Sequence, residues 1–260
     1  MERRSLPCKI DFEGYLFLMR LHSFQHIPFE DPAGIARWAA MQQIPMTHTH
    51  WYKGEKAPSI DSFDALIIMG GPMNIYEDHL YPWLEEERKF IHQAVASGKK
   101  AVGVCLGAQL LADALGGRVT QNQDKELGWF PIEFTPEFRR IDWLAPVPQE
   151  LTVCHWHGDT FSLPQEAILL GSSKACFNQG FVWKKQVLGF QFHIELSAGD
   201  LARIPEDFIS EFPPGPWVQP VRQIISDAVL YECDCQRFLF KTLDKFFELN
   251  AANDPAGFVK

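Results

Sequence analysis

The stretch VGVCLGAQ, residues 102–109, decides the fold of this chain. Its first half is typical of a buried strand. Its second half, with a glycine two residues on either side of Cys105, is typical of a turn into a helix. The pattern Gly-x-Cys-x-Gly is the thiol counterpart of the serine elbow found at strand-to-helix turns of α/β enzymes. The sequence therefore predicts that Cys105 is a nucleophile held out at the top of a sheet.

The surroundings predicted for Cys105 favour its reactivity. The amino end of a helix carries partial positive charge and unpaired N–H groups, which stabilise a thiolate and the oxyanion of a tetrahedral intermediate. A second oxyanion donor is expected where the apolar strand at residues 65–69 ends at Gly70 and Gly71. Glycines there bring a backbone N–H close to a substrate, because no side chain intervenes.

A candidate base lies at the end of a later apolar strand, in the segment QFHIE at residues 191–195. His193 and Glu195 are two residues apart, so in an extended segment they point to the same face. We expect His193 to act as general base toward Cys105, and Glu195 to fix the imidazole tautomer and stabilise its cation. The sequence therefore predicts a Cys-His-Glu catalytic triad.

Strand and helix patterns alternate through the first half of the chain. Expected strands lie at residues 15–21, 45–50, 65–69 and 101–104, and expected helices at residues 33–41 and 82–97. This alternation predicts an α/β fold with a mostly parallel central sheet and helices on both faces. From about residue 118 the strands become short and turn-bounded, which predicts an antiparallel extension of the same sheet. A last helix is expected over residues 218–249, with or without a break near Cys233.

The chain length and composition are those of an ordinary globular protein. Its 260 residues, 46% of them hydrophobic and 22% charged, are enough to bury most of the apolar surface of one large domain. We expect one domain over residues 1–200 and a helical C-terminal extension over residues 201–260, packed on the same domain.

Charge and cysteine usage exclude several functions. The net charge of −9 argues against nucleic acid or an anionic membrane as the partner. No apolar run approaches the roughly 20 residues that span a bilayer, and the N-terminus has no secretory signal pattern. The six cysteines are irregularly spaced and include no Cys-x-x-Cys motif. A cytoplasmic protein with reduced thiols is therefore expected.

These segments together resemble the class I (triad-type) glutamine amidotransferases, in particular stand-alone proteins similar to the glutaminase domain of GMP synthase. The resemblance covers about residues 15–197 and rests on six ordered blocks, at residues 67–73, 103–112, 114–119, 126–129, 155–161 and 190–195. Two departures leave the chemistry intact. The usual His-Pro-Glu is here His193-Ile194-Glu195, and the frequent Gly-Gly-Pro-x-Ser here ends in Asn74.

The resemblance implies a flavodoxin-like fold and hydrolysis of the glutamine side-chain amide. The reaction would pass through a γ-glutamyl thioester on Cys105 and release ammonia for an unidentified acceptor or partner synthase. By position, the backbone N–H groups of Gly71 and Leu106 would form the oxyanion hole. No cofactor is implied.

The resemblance also implies which residues hold the substrate. Gly70 and Gln109 would help to bind glutamine. The turn that contains Trp156, His157 and Asp159 would contact the α-amino and α-carboxylate groups of glutamine.

Two other functions fit part of the pattern. The same triad could cleave γ-glutamyl peptides or other γ-glutamyl amides, since the acyl half of the substrate is shared and only the leaving group differs. A non-enzymatic regulatory or interaction protein could use the same scaffold, although that hypothesis expects a broken triad.

A metal site is not predicted. The pairs His48-x-His50 and His155-x-His157 have ligand-like spacing, but neither has a nearby Cys, Asp or Glu that is free to complete a site.

Overall fold

The strands and helices follow the predicted alternation in the computed structural model, which describes residues 8–10, 16–144, 146–209 and 212–249. The strands are β1 Cys8–Ile10, β2 Leu16–Leu18, β3 Leu21–Gln25, β4 Met46–His50, β5 Ala65–Ile68, β6 Lys100–Val104, β7 Val119–Phe134, β8 Glu150–Phe161, β9 Ala167–Leu169, β10 Gly171–Ser172, β11 Gly180–Trp183 and β12 Val187–Phe190. The helices are α1 Ala33–Met41, α2 Trp83–Ala96, α3 Leu106–Ala114, α4 Pro136–Arg139, α5 Ala198–Leu201, α6 Glu206–Ile209 and α7 Val221–Phe246.

The central sheet has the strand order β4-β3-β5-β6-β12-β11-β9. Its pairs from β4 through β12 are parallel, and β11 pairs antiparallel with both β12 and β9. Every residue of β5 and β12 is buried, as in a parallel sheet that is covered on both faces. The predicted α/β fold, with a mostly parallel sheet and an antiparallel extension, is confirmed.

Helices cover both faces of the central sheet. Side chains alternate along β5, so Leu66 and Ile68 pack in the cluster that contains α2 and α3, whereas Ile67 packs in the cluster that contains α1 and α7. The carboxyl ends of β3, β5, β6 and β12 meet at one edge of the sheet. In open α/β folds this edge is where ligands bind.

Strands β7 and β8 form a long hairpin in a separate three-stranded sheet with the order β10-β7-β8. The expectation that the later strands are all short and extend the central sheet is wrong for this hairpin. The polar residues between Gln121 and Glu126 look like a turn in the sequence, but they continue the strand through a shift in register. Strands β9 and β11 do extend the central sheet as predicted.

The apolar run expected to form one strand over residues 15–21 is divided between two sheets. Residues Leu16–Leu18 pair antiparallel with Cys8–Ile10, whereas the central sheet begins at Leu21. Arg20 separates the two strands, and its backbone N–H donates to Asp64 Oδ2 at 2.8 Å. Tyr15 lies outside the described residues.

The C-terminal helix α7 is continuous over 26 residues, so the break considered near Cys233 does not occur. It is joined to α1 by a hydrogen bond from Trp38 Nε1 to Asp244 Oδ1 (2.8 Å), and to β7 by one from Trp129 Nε1 to the Ile224 carbonyl (2.9 Å). The domain boundary at residue 200 stays a prediction. None of the helices within the described ranges is both long and apolar enough to cross a membrane.

Two glycines set the close approach of β6 and α3. A Cβ atom on Gly103 would overlap the backbone of Gly107, and a Cβ atom on Gly107 would overlap the carbonyl group of Ile68. Neither overlap can be relieved by a side-chain rotation, because the obstacle is backbone in both cases. The glycines on either side of Cys105 are therefore required by packing.

We expect Gly107→Ala to lower the free energy of unfolding by about 3 kcal/mol or more, because the added methyl group forces α3 away from β5. Urea denaturation followed by circular dichroism measures the change. Gly199→Ala is the matched control, since Gly199 is also helical and its nearest neighbour to an added Cβ atom is Ser197 Oγ at 3.8 Å. Equal stability of the two variants would contradict the packing argument.

Candidate active site

Cys105 lies between β6 and α3, where the chain turns sharply. Its backbone has φ 51° and ψ −109°, a conformation that residues other than glycine rarely adopt. The backbone N–H of Cys105 donates to the Phe190 carbonyl in β12 at 2.8 Å, which fixes the turn to the neighbouring strand. Strained backbone of this kind concentrates at functional sites, and the strand-to-helix turn is located where the sequence predicts it.

His193 and Glu195 follow β12 and contact each other directly. The distance from His193 Nδ1 to Glu195 Oε1 is 2.8 Å, and both side chains are buried. The backbone N–H of His193 donates to the Cys154 carbonyl in β8 at 2.7 Å. The Glu195 carbonyl accepts from the N–H of Gly34 at 3.0 Å and from Arg37 Nη2 at 3.1 Å. Both sheets and α1 therefore hold the pair in place.

The remaining nitrogen of His193 is available to the thiol, because Nδ1 faces Glu195. Burial raises the pKa of the Cys105 thiol, while a hydrogen bond with His193 acts in the opposite direction. Burial disfavours the His193 cation, but Glu195 and Cys105 outweigh it and raise the pKa of His193 well above its usual value. The raised pKa of His193 makes its imidazole a stronger base toward the buried thiol.

A pocket of about 480 Å³ opens onto Cys105 and His193. Five further residues with predicted roles line it: Gly71, Gln109, Trp156, His157 and Asp159. Gly70, Leu106 and Glu195 do not line the pocket themselves. Gly70 and Leu106 are next in sequence to the wall residues Gly71 and Cys105, and Glu195 contacts the wall residue His193. The structure therefore brings together all of the residues that the sequence analysis singled out for catalysis and binding. Their individual roles stay predictions.

The two expected oxyanion donors, the backbone N–H groups of Gly71 and Leu106, have different surroundings. The N–H of Leu106 hydrogen bonds to the Cys105 sulfur and lowers the pKa of the thiol. Gly71 lines the pocket. Neither N–H donates to a backbone carbonyl in the described part of the chain. An oxygen atom that develops negative charge would replace the sulfur as the acceptor of the Leu106 N–H.

The expected substrate-binding residues are held by short networks around the thiol. Gln191, which the sequence analysis did not single out, lies 3.9 Å from Cys105 Sγ through its Nε2, and it accepts from Gln109 Nε2 at 3.3 Å. The Trp156 carbonyl lies 3.6 Å from Cys105 Sγ. Asp159 Oδ2 accepts from Asn74 Nδ2 at 2.6 Å, which links the turn after Gly71 to β8.

The expected turn at Trp156, His157 and Asp159 is part of strand β8 in the structure, and a buried carboxylate lies beside His157 there. Glu126 accepts from Gln179 at 2.6 Å and from Ser173 at 2.7 Å, and it lies 3.1 Å from His157 Nε2. Burial alone raises its pKa, but His157, His155 and Ser173 together lower the pKa of Glu126 to about 2. The second nitrogen of His157 lies 3.1 Å from the Asp159 carbonyl. Both ring nitrogens of His157 therefore already face protein oxygen atoms.

One set of metal-ligand types occurs among the described residues. The donor atoms of Glu126, His157 and Cys176 lie within 4.8 Å of one another. Sequence spacing did not show this, because β7, β8 and the loop before β11 bring the three together. Each already has a protein partner, such as Thr160 Oγ1 at 3.3 Å from Cys176 Sγ. The absence of a metal and of a cofactor stays a prediction.

Sequence reasoning gave no role to several residues of the pocket wall, among them Glu30, Phe208 and Phe212. Glu30 follows β3, is fully buried, and its Oε2 has no hydrogen-bond partner. The tail after residue 200 received no role, yet Phe208 packs against Trp156 with ring centroids 5.4 Å apart. The aromatic residue Phe208 was the signal available in the sequence that this part of the chain packs against the pocket.

A second pocket, of about 510 Å³, lies at the start of α1 and is lined by Arg37, His48, Asp200 and Arg203 among others. No member of the Cys105, His193 and Glu195 group lines it. Its guanidinium groups are paired with carboxylates, such as Arg37 with Asp200 at 2.9 Å. The residues expected to carry catalysis therefore lie at the pocket that contains Cys105 and not at this one.

Comparison with known proteins agrees with this geometry. The family model for glutamine amidotransferase class-I matches residues 38–211. The glutamine amidotransferase-like protein YfeJ of Salmonella typhimurium is 35% identical over 183 residues, which is 69% of this chain and 77% of that protein. A glutamine-hydrolysing GMP synthase subunit from Sulfurisphaera tokodaii is 28% identical over 53% of this chain and 70% of its own. The crystal structure of a glutamine amidotransferase from Thermotoga maritima has a TM-score of 0.80 at 28% identity, covering 89% of this chain and 99% of that one.

The chain belongs to the class I glutamine amidotransferases, which are enzymes. It also matches full-length GMP synthases, such as that of Vibrio campbellii, but the match spans only 24% of that protein. The expected enzyme class and the expected relation to the glutaminase part of GMP synthase are confirmed. The non-enzymatic alternative does not fit the family.

We expect Glu195→Gln to slow the alkylation of Cys105 by iodoacetamide at pH 7 by about tenfold or more, because one unit of pKa change is a factor of ten in the ionised fraction. Glu195 raises the pKa of His193, so its loss disfavours the imidazolium and with it the thiolate. The difference in alkylation rate between the wild type and the variant should narrow as the pH rises toward the pKa of the thiol. Peptide mass spectrometry over a pH series measures the rate.

The exposed Cys233 is an internal control, because its alkylation should be equal in both proteins. An unchanged rate at Cys105 in a folded variant would show that Glu195 does not control the thiol.

Proposed function

We propose that this chain hydrolyses the side-chain amide of glutamine through a γ-glutamyl thioester on Cys105. The observation that supports this proposal is the arrangement around His193. Its imidazole Nδ1 lies 2.8 Å from the Glu195 carboxylate, its ring shares a pocket wall with Cys105, and its presence there acts to lower the pKa of the Cys105 thiol. This arrangement fits an acyl transfer in which one proton moves between sulfur, imidazole and leaving group.

The first half-reaction forms the thioester. The Cys105 proton moves to His193, and the sulfur attacks the amide carbon of glutamine. The oxygen atom gains negative charge and is bound by the N–H groups of Gly71 and Leu106. The carbon–nitrogen bond then breaks, and His193 returns the proton to the nitrogen, which leaves as ammonia.

The second half-reaction regenerates the thiol. A water molecule takes the place of the ammonia and gives a proton to His193 as it attacks the thioester carbon. The carbon–sulfur bond breaks, Cys105 recovers its proton and glutamate is released. Glu195 stabilises the imidazolium that forms in each half.

The remaining wall residues hold the amino-acid part of glutamine in this proposal. Asp159 binds the α-amino group. The backbone around Trp156 and His157 contacts the α-carboxylate, because both ring nitrogens of His157 already face protein oxygens. Gln109 and Gly70 complete the glutamine site, and the ammonia passes to an acceptor bound by a partner synthase.

A second candidate is hydrolysis of larger γ-glutamyl amides. One observation favours it: the pocket wall includes the aromatic rings of Phe208 and Phe212, which the glutamine side chain itself does not need. Both candidates use the same thioester, and only the leaving group differs.

An assay with two substrates tests the function. We expect the protein to release ammonia from L-glutamine with a kcat/KM at least about tenfold higher than that for amine release from γ-glutamyl methylamide, and Cys105→Ala to abolish both activities. Amine release from γ-glutamyl compounds with no ammonia from glutamine would favour the second candidate. Activity that survives in Cys105→Ala would exclude both.

Glu30 supports the choice of ammonia as the leaving group. Burial raises the pKa of Glu30, so its neutral form persists to higher pH than for an exposed carboxyl. Its unpaired oxygen lies beside His193, because a Cβ atom on Gly70 would overlap Glu30 Oε2 and lie 3.0 Å from His193 Cε1. We assign this oxygen to an N–H of the leaving nitrogen.

We expect Glu30→Ala to lower kcat/KM for L-glutamine by about tenfold or more, which is the cost of one hydrogen bond to a buried group. The value for γ-glutamyl methylamide should fall less or rise, because the substitution opens space for the methyl group. Glu30→Gln, which keeps an oxygen acceptor and the size, is the control and should preserve the preference. An equal fall for both substrates would contradict the assignment.

A further inference from the structure

A buried ion pair lies against the backbone of Gly70 and has no part in the steps above. His26 follows β3, Glu87 lies in α2, and both side chains are fully buried. The distance from His26 Nε2 to Glu87 Oε1 is 2.9 Å, and the distance from His26 Nδ1 to the Gly70 carbonyl oxygen is 2.8 Å.

The contact with Gly70 defines which nitrogen of His26 carries a proton. A carbonyl oxygen only accepts, so Nδ1 must donate to it. Glu87 holds the opposite side of the ring, and the indole of Trp83 stacks on its face with centroids 5.6 Å apart. Burial disfavours the His26 cation, but Glu87 outweighs it and raises the pKa of His26. The imidazole is therefore a strong, oriented donor to the Gly70 carbonyl.

This donor controls the direction of the next N–H group. The peptide bond between Gly70 and Gly71 is planar and trans, so its C=O and N–H point in opposite directions. Two consecutive glycines place few steric limits on rotation of this plane. With the Gly70 oxygen held by His26, the N–H of Gly71 is directed to the opposite side of the strand end.

The Cα atom of Gly71 is closely packed, so this position has no room for a side chain. A Cβ atom there would lie 3.0 Å from His26 Cβ, 3.0 Å from Met73 Sδ and 3.1 Å from Leu106 Cδ2. Leu106 supplies the other expected oxyanion donor, so the two donor residues pack against each other. Gly71 also borders the pocket.

We propose that His26 and Glu87 are positioning residues that hold the Gly70–Gly71 peptide with the Gly71 N–H directed into the oxyanion site. The proposal rests on the proposed acyl transfer, because that reaction is what needs the donor. Folding does not explain the pair well: buried ion pairs often contribute no net stability relative to apolar residues, and Glu87 Oε2 has no hydrogen-bond partner.

The double substitution His26→Phe with Glu87→Leu tests the proposal without leaving an unpaired buried charge. It removes the donor to Gly70 and keeps an aromatic ring beside Trp83. We expect kcat for L-glutamine to fall by about 10- to 100-fold, somewhat less than the loss of an oxyanion donor itself, with KM within about threefold. The rate of Cys105 alkylation by iodoacetamide should not change, because alkylation of a thiolate forms no oxyanion.

Two further variants separate orientation from charge and from general damage. In Glu87→Gln the amide can donate to His26 Nε2 and leave the Nδ1 proton on the Gly70 carbonyl, so kcat should stay within about fivefold. His22→Gln is the matched control, since His22 is a buried histidine of β3 itself. Its ring nitrogens hydrogen bond to Thr47 and Thr49 in β4, at 2.7 and 2.9 Å, whereas Gly70 follows β5 on the opposite edge of β3.

An unchanged kcat in the folded double variant would overturn the proposal, as would a fall in the alkylation rate that matches the fall in kcat. A wild-type protein that releases neither ammonia nor amine would instead refute the proposed function. The positioning role can be tested even in that case, by crystal structures of the wild type and the double variant. We expect the Gly70 carbonyl of the variant to point in a new direction or to occupy two orientations. The same single orientation in both proteins would refute the positioning role.

Discussion

The contact between β6 and α3 is the constraint on which the rest of the site depends. Gly103 and Gly107 let strand and helix approach so closely that the one residue between them that carries chemistry, Cys105, has to adopt a positive φ. That conformation places its sulfur against the N–H of Leu106 and beside His193. A side chain at either glycine would widen the turn and move the thiol away from both. Packing of the core and placement of the Cys105 sulfur therefore depend on the same two glycines.

Buried pairs of a glutamate and a histidine surround the site. Glu195, Glu87 and Glu126 are each buried beside a histidine, and each of those histidines is tied to a backbone carbonyl or to the thiol. A buried carboxylate is costly unless it is paired, so three such pairs around one pocket indicate that orientation was favoured over the stability an apolar core would give. In each case the carboxylate lies on one side of an imidazole ring whose other nitrogen faces a backbone carbonyl or the thiol.

The sequence allowed the central sheet and the placement of Cys105, His193 and Glu195 at strand ends to be predicted, because both depend on local signals. Glycines around Cys105 mark a turn, and the spacing of His193 and Glu195 puts them on one face of a strand end. The β7–β8 hairpin was not predicted because its polar residues from Gln121 to Glu126 have the composition of a loop. Glu30 was missed for a related reason: burial of a charged residue depends on distant partners, which periodicity along the chain does not record.

His193 is attached to the smaller sheet as well as to the central one, through its N–H on the Cys154 carbonyl. Different regions of a protein open at different free energies, so the hairpin sheet can open while the central sheet stays folded. Loosening of the hairpin alone would release the imidazole while the parallel sheet stayed intact. Warming would then inactivate the enzyme before it melts, and the hairpin would set its working temperature.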